Sequence, residues 1–296
     1  MDLKNAKSNA APKVSVIIPT YNRWSILIKS LSFLQNQSFR DFEVIVVDDA
    51  SEEKAPKLKF DVRYFRLKTR SGSPAARNFG ATYARGRYLL FLDDDIFLSS
   101  NYLEELVPIL EADENVAAIA GRLVYVKGGV FAISRKVFDV PVRVVKFSGD
   151  VLGSFGRKTA GLVEVPTLHV AAVVKRGDFQ FAGGFDSETY AGNYFREETD
   201  LFFRLTRTGK KLLFDPNAVA YHVKVGTGGQ RFNILKYEYY VLRNHFRLLR
   251  KFFGRKSIIM TFFFFFRRIY ERLKQLYGYI LRKAGLTKVN RFNLER

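Results

Sequence analysis

Short apolar runs alternating with amphipathic stretches dominate the first third of the chain. Val14-Ser15-Val16-Ile17-Ile18 is a β-branched run closed by Pro19, the pattern of a strand buried on both faces. From Trp24 to Gln37 the apolar residues Ile28, Leu31 and Leu34 recur at helical spacing. Val44-Ile45-Val46-Val47 predicts a second buried strand, ending in Asp48-Asp49-Ala50-Ser51. Arg63 to Leu67 reads as a short third strand, and Pro74 to Ala84 as a helix with proline in its first turn. Tyr88-Leu89-Leu90-Phe91-Leu92 is a further apolar strand, delivered straight into Asp93-Asp94-Asp95. Strands alternating with helices predict a parallel sheet with crossover helices on both faces, a Rossmann-like α/β sandwich with right-handed connections.

In such sheets the ligand crevice lies beyond the carboxyl ends of the strands. Three predicted strands end there in polar residues: Thr20-Tyr21-Asn22, Asp48-Asp49 and the triple Asp. Two unit charges about 4 Å apart cost on the order of 4 kcal/mol at an effective dielectric near 20, and a hard divalent cation reverses that cost. In an extended segment Asp93 and Asp95 point to the same side, so they could share one ligand assembly. No glycine-rich phosphate loop and no G-x-S-x-G elbow follows any strand, which argues against dinucleotide oxidoreductases, P-loop enzymes and serine hydrolases. A second acidic centre, Arg196-Glu197-Glu198-Thr199-Asp200, opens a helical pattern. Asp200 suits the helix start, and Glu198 is the better candidate for a general base. The preceding Gly183-Gly184-Phe185-Asp186 offers a tight turn to bring that segment to the crevice.

These residues together resemble glycosyltransferase family 2. The resemblance rests on Val14–Arg23 (VSVIIPTYNR), Val46–Ser51 (VVDDAS), Ala76-Arg77-Asn78 with Gly80, the D-x-D of Asp93–Asp95, Gly183–Asp186 (GGFD) and Glu197–Arg204 (EETDLFFR). They occur in the family's order from about residue 13 to residue 250. The resemblance implies a GT-A fold, a three-layer α/β/α sandwich. It also implies a nucleotide-sugar donor, Mg²⁺ or Mn²⁺, and an inverting single displacement. Pro19, Tyr21 and Asp49 would line the nucleotide base and ribose, with Arg77, Asp93 and Asp94 on the donor side. Asp95 would be the direct metal ligand, and His222 would lie near the metal or diphosphate. Glu198 falls where the family places its base, commonly Asp in an E-D pair. Here the pair is Glu-Glu, which leaves Glu197 or Glu198 as the acting group. His169 and His245 read as structural. The stretch from Leu168 to Arg176 departs from the family pattern, so acceptor contacts there do not transfer.

Charge changes the picture toward the C-terminus. The 296 residues carry a formal charge of +20, with no cysteine and only 3 histidines, which excludes disulfides, thiolate metal sites and cysteine nucleophiles. The segment from Tyr221 to Arg296 holds 18 Lys+Arg against 3 Asp+Glu, and 17 Phe or Tyr, whereas the first 220 residues are nearly balanced. Leu242, Phe246, Leu249 and Phe253 predict one helical stripe. Ile269, Leu273, Leu276 and Ile280 predict another, with Arg267, Glu271, Lys274 and Arg282 opposite. Between them runs Ser257 to Phe266, a segment with five consecutive Phe that is too short to span a bilayer.

A basic amphipathic helix with aromatic residues reads as a membrane-surface element, or as a helical hairpin packed on the catalytic domain or on a partner. The expected organisation is therefore a disordered N-terminus over 1–12, a catalytic domain over 13–230 and a helical, membrane-associating tail over 231–296. The start of the chain has no apolar signal segment. The expected setting is the cytoplasmic face of the cell membrane, bound peripherally, with a glycan or lipid-linked acceptor and no nucleic acid. The alternatives are a nucleic-acid-binding protein using the basic tail, or a sugar-phosphate nucleotidyltransferase. Oligomeric state is open.

Overall fold

A computed structural model describes residues 11–127, 130–131, 137–223 and 233–283. The expected disordered N-terminus, apart from Ala11 and Pro12, and the tail beyond Lys283 lie outside the described residues. The strands of three or more residues are β1 (Val14–Thr20), β2 (Phe42–Asp48), β3 (Arg63–Arg66), β4 (Tyr88–Phe91), β5 (Ile96–Leu98), β6 (Val116–Lys127), β7 (Val142–Val144), β8 (Val151–Gly153), β9 (Ala172–Lys175) and β10 (Lys211–Val223). The helices are α1 (Trp24–Gln35), α2 (Ser73–Thr82), α3 (Tyr102–Ala112), α4 (Arg176–Phe181), α5 (Glu197–Arg207), α6 (Ile234–Phe253) and α7 (Ser257–Lys283).

The main sheet runs β10-β6-β9-β4-β1-β2-β3. Its centre is fully buried: Val16, Ile17 and Ile18 of β1 and Val46 and Val47 of β2 have no exposed surface, as their unbroken apolar runs require. The expectation of a parallel sheet holds for β3, β2, β1 and β4. It fails at β9, which is antiparallel to both β4 and β6. Residues 128–171 lie between β6 and β9, and Thr167 and Leu168 line the crevice cavity, so the chain re-enters the sheet from that end. A strand entering from the crevice must run against its neighbours.

Two helical stripes also differ from the periodicity. In α1 the buried side is Trp24, Leu27, Leu31 and Leu34, and Ile28 is 37% exposed. In α6 the buried residues are Val241, Asn244, His245, Leu248 and Leu249, whereas Phe246 and Phe253 face solvent. Hydrogen bonds decide this second case. Asn244 Nδ2 donates to Tyr190 O (2.9 Å) and to Asn193 Oδ1 (3.1 Å), and His245 Nε2 lies 2.8 Å from Ser148 O. Polar groups that find such partners can be buried at the cost of exposing two phenylalanines. His169 is likewise structural, with Nε2 2.8 Å from Gly121 O.

Beyond α6 the chain makes one short turn and continues as α7, a single helix of 27 residues that covers both the Phe run and the second stripe. No helix among the described residues is long and apolar enough to cross a membrane.

Candidate active site

The carboxyl ends of β1, β2 and β4 open onto a cavity of about 660 Å³. Pro19, Tyr21, Asp49, Arg77, Asp93, Asp94 and Glu198 line it, and Asp95 and His222 stand outside that lining. On the strand side, Asn22 adopts a left-handed conformation (φ 51°) that Asn tolerates. Its Oδ1 accepts from Glu52 N (2.8 Å), which locks the β1 end onto the β2 end. Asp49 accepts from Ser71 N (2.6 Å) and Gly72 N (2.8 Å), so each oxygen keeps a lone pair for a ligand. Burial raises the Asp49 carboxyl above its ordinary range, and the two N–H donors only partly oppose this. Gly72 is required here: its φ is 89°, and a Cβ would collide with the Tyr194 hydroxyl.

The triple Asp is not extended. Ile96 N donates to Asp93 O (3.1 Å), and this turn breaks the two-residue alternation that would have set Asp93 and Asp95 side by side. The three carboxylates divide between two arginines. Asp94 pairs with Arg23 at 3.1 Å and accepts from Thr20 Oγ1 at 2.8 Å, while Asp95 takes the other Arg23 nitrogen. Asp93 turns to Arg77, which also holds Glu197, both at 2.5 Å. Burial pushes Asp94 up to about 7. Burial also works against charge on Asp95, but His222 and Arg23 hold its carboxyl below the usual range. Arg77 stays charged: burial opposes this, and Glu197, Asp93 and Glu198 more than offset it.

Its neighbour Asn78 exchanges two hydrogen bonds with Phe185, Nδ2 to O at 2.7 Å and N to Oδ1 at 2.9 Å. The Ala76-Arg77-Asn78 element thus grips the Gly183–Asp186 turn. That turn needs its glycines, at φ 79° and 69°.

The segment that enters α5 is held in a sparsely populated backbone. Gly192 (φ 100°), Tyr194 (φ 53°) and Arg196 (φ 79°) are all left-handed within five residues. Such conformations persist only where surrounding contacts over-determine them, and they cluster at functional sites. Here the contacts come from α6: Asn244 holds Tyr190 and Asn193, Arg247 Nη1 donates to Thr189 O (2.6 Å), and Arg243 donates to Ala191 O. Arg196, at the edge of the cavity, pairs with Asp150, which also pairs with Arg267 of α7.

The outcome distinguishes the two glutamates. Glu197 is buried and tied to Arg77. Glu198 is partly exposed to the cavity and engages no hydrogen bond or ion pair among the described residues. Burial and the adjacent Glu197 charge raise its carboxyl above the ordinary range.

Among the described residues no three His, Asp or Glu side chains converge as a metal cage. What exists is a pair, His222 Nε2 at 3.4 Å from Asp95 Oδ1, with the Arg23 guanidinium on the same carboxylate. One carboxylate and one imidazole fit a cation whose remaining ligands are donor phosphates and water, and Arg23 would have to yield its place on Asp95 to that cation.

Several cavity residues escaped the sequence reading. Arg23 and Arg70 were present as basic residues near strand ends, but only the fold puts Arg70 over the Tyr21 ring at 4.0 Å. Tyr125, whose ring is 5.1 Å from that of His222, and Phe155 come from the crevice-side strands and excursion, with no local signal.

A mixed sheet with a nucleotide-sized crevice, an acidic turn at its centre and a free carboxylate opposite defines the class of GT-A glycosyltransferases. The sequence profile of Glycosyl transferase family 2 matches residues 15–162, and the chain belongs to that family. A Campylobacter jejuni relative, GalNAc(5)-diNAcBac-PP-undecaprenol beta-1,3-glucosyltransferase, is 33% identical over 165 residues, 49% of this chain and 52% of that protein. The chain spans about half or less of the curated relatives it matches first. Among solved structures, GalNAc-T7 with UDP, GalNAc and Mn²⁺ has a TM-score of 0.67 at 20% identity, covering 87% of this chain and 52% of that one. S. aureus TarS 1-349 with UDP-GlcNAc has a TM-score of 0.59 at 20% identity, covering 80% and 66%. At that identity the likeness establishes the fold alone. Neither the nucleic-acid-binding nor the nucleotidyltransferase alternative gains support.

Proposed function

We propose that the chain transfers a sugar from a nucleoside-diphosphate donor to an acceptor hydroxyl with inversion, using Glu198 as the base. Both glutamates at the start of α5 line the cavity, and the observation that carries this reading is that Glu197 is buried and paired with Arg77, whereas Glu198 is more exposed and has no partner among the described residues. Glu198 accepts the acceptor hydroxyl proton as that oxygen attacks the anomeric carbon. The bond from this carbon to the diphosphate breaks, and the nucleoside diphosphate leaves. Positioned general-base catalysis supplies about 10²–10⁴-fold. Pro19, Tyr21 and Asp49 hold the nucleoside, and Arg70 stands over Tyr21 at the rim. Arg77 fixes Glu197 and Asp93 so that neither competes for the proton.

Asp95 and His222 would hold Mg²⁺ or Mn²⁺, which would supply Lewis-acid stabilisation of the leaving diphosphate. The UDP and Mn²⁺ in the GalNAc-T7 structure and the UDP-sugar in TarS support this donor class. The undecaprenol-linked substrate in the Campylobacter relative's name supports a lipid-linked acceptor. The basic, aromatic α7 supports peripheral attachment to the inner face of the cell membrane.

The test is thermal unfolding with UDP, GDP, dTDP and CMP, each with and without Mn²⁺ or Mg²⁺, on the wild type and on Asp95→Ala. One nucleotide should raise the transition only with metal and only in the wild type. A ligand at about 100 times its Kd adds roughly 2.7 kcal/mol, readable as several degrees. No shift with any nucleotide would overturn the donor reading.

A further inference from the structure

Helix α7 has two faces with different fates. On the inner side Ser257, Met260 and Phe264 are buried, and Phe264 stacks on His245 with centroids 3.7 Å apart. On the outer side Ile258, Phe262, Phe266, Leu273, Leu276 and Ile280 recur at helical steps, each at least 52% exposed. Nothing among the described residues covers them.

The apolar surface does not end with the helix. Phe147, at the tip of the β7–β8 hairpin, is 74% exposed, and its ring lies 6.5 Å from that of Phe263. The hairpin is fastened to both C-terminal helices. His245 of α6 meets Ser148 O, Gly149 packs so closely on Leu249 that a Cβ would collide, and Asp150 pairs with Arg267 of α7. The strands of the same hairpin wall the cavity with Val142, Val151 and Gly153. One rigid piece therefore carries an exposed aromatic tip at one end and the side of the cavity opposite the nucleotide at the other.

We propose that α7 and the β7–β8 tip form one docking surface for an anionic lipid bilayer, which sets the cavity mouth beside the bilayer for a lipid-linked acceptor. This rests on the membrane reading above and extends it from the tail into the catalytic body. Charge complementarity selects the occupant. Lys146, Arg255, Lys256, Lys274 and Lys283 are exposed around the patch, and Glu271 is the only acid in α7. A second copy of the chain would bring the same cations against them, whereas an anionic leaflet gains roughly fivefold in affinity per cation. Twenty-seven helical residues extend about 40 Å, long enough to lie in the interface plane along the whole stripe.

The test is co-sedimentation of the full chain with phosphatidylcholine vesicles, with and without phosphatidylglycerol. The variants are Phe147→Ser, Phe263→Ser and the double change Leu273→Ser with Leu276→Ser. Expected are binding that needs phosphatidylglycerol and a roughly tenfold loss in each variant. The thermal transition and turnover on a water-soluble acceptor should not change. Phe147→Trp should also shift its emission to the blue on vesicles. If the wild type ignores all vesicles, the membrane reading falls and this surface with it, while nucleotide binding still reports on the transferase reading. If the wild type binds, Phe147→Ser binds equally well and the Phe147→Trp emission is unmoved, the tail binds alone and the composite surface is wrong. A lipid-free dimer abolished by Phe263→Ser would make the face an interface between copies and overturn the proposal.

Discussion

The proposed nucleotide side and the proposed base side of the cavity are built in opposite ways. On the nucleotide side, side chains stand at the ends of fully buried parallel strands, and their supports are local in the sheet: Asn22 to Glu52, Asp49 to Ser71 and Gly72. On the base side, Glu198 follows an irregular stretch with three left-handed residues, and its supports come from α6 and α7, some 50 to 70 residues later in the chain. A rigid sheet edge needs little help to present a ligand-binding residue, whereas a strained loop needs an external brace. On the proposed reading, inward-facing contacts of α6 and α7 therefore brace the loop that carries the base, while the outward face of α7 takes no part in that brace.

The comparison can be broken most sharply at Glu198. Glu198→Gln should lower transfer by about 10²–10⁴-fold with the metal-dependent nucleotide shift intact, and unimpaired product release in that variant would remove Glu198 from the chemistry. Arg77 joins the two sides, so Arg77→Met leaves the buried Glu197 and the partly exposed Asp93 uncompensated. Denaturant unfolding should show a loss of about 3–5 kcal/mol, and a loss below 1 kcal/mol would mean the triad carries no net weight.

Next in size is Asn244→Ala, which strips two acceptors of their donor and should cost about 1–3 kcal/mol. If α6 braces the base loop, steady-state kinetics will show kcat falling while the donor KM holds. An equal change in both would make Asn244 merely structural.

The smallest effects are in pH. The Glu197–Glu198 pair titrates above the ordinary carboxylate range, so kcat/KM should still be rising with pH near neutrality, and Glu198→Gln should flatten that limb. Burial lowers His169 to about 4 and His245 to about 3 in the folded chain. Below the unfolded value near 6.5 the unfolded chain binds more protons, so their contribution to stability is complete above that pH and declines as pH falls toward 3. Urea midpoints at pH 7 and pH 5 should differ in that direction. Replacing His245 with Gln should shrink the difference, and an unchanged difference would place the acid sensitivity elsewhere.

Much of the strand-end side of the cavity was legible in the sequence because unbroken apolar runs ending in polar residues say where a buried parallel strand stops. Pro19, Tyr21 and Asp49 fall at those ends, and all three line the cavity. The separation of Asp93 from Asp95 was not legible, because the turn after β4 depends on a backbone hydrogen bond that leaves no mark in the spacing. The buried side of α6 was not legible, because hydrophobicity ranks Phe246 above Asn244. The ranking reverses only when the partner carbonyls of the base loop are known.

By itself the sequence determined the layered α/β class, the order of its motifs, and the contrast between a balanced body and a basic, aromatic C-terminus. These follow from local periodicity and composition, which need no partner. The tertiary structure alone decided which glutamate Arg77 holds, which arginine each Asp faces, and that β9 runs against its neighbours. It also decided that a hairpin of the catalytic body shares its tip with α7. Each of these depends on groups far apart in the chain finding, or failing to find, a charge or hydrogen-bond partner in a buried place, and no spacing along the chain encodes that.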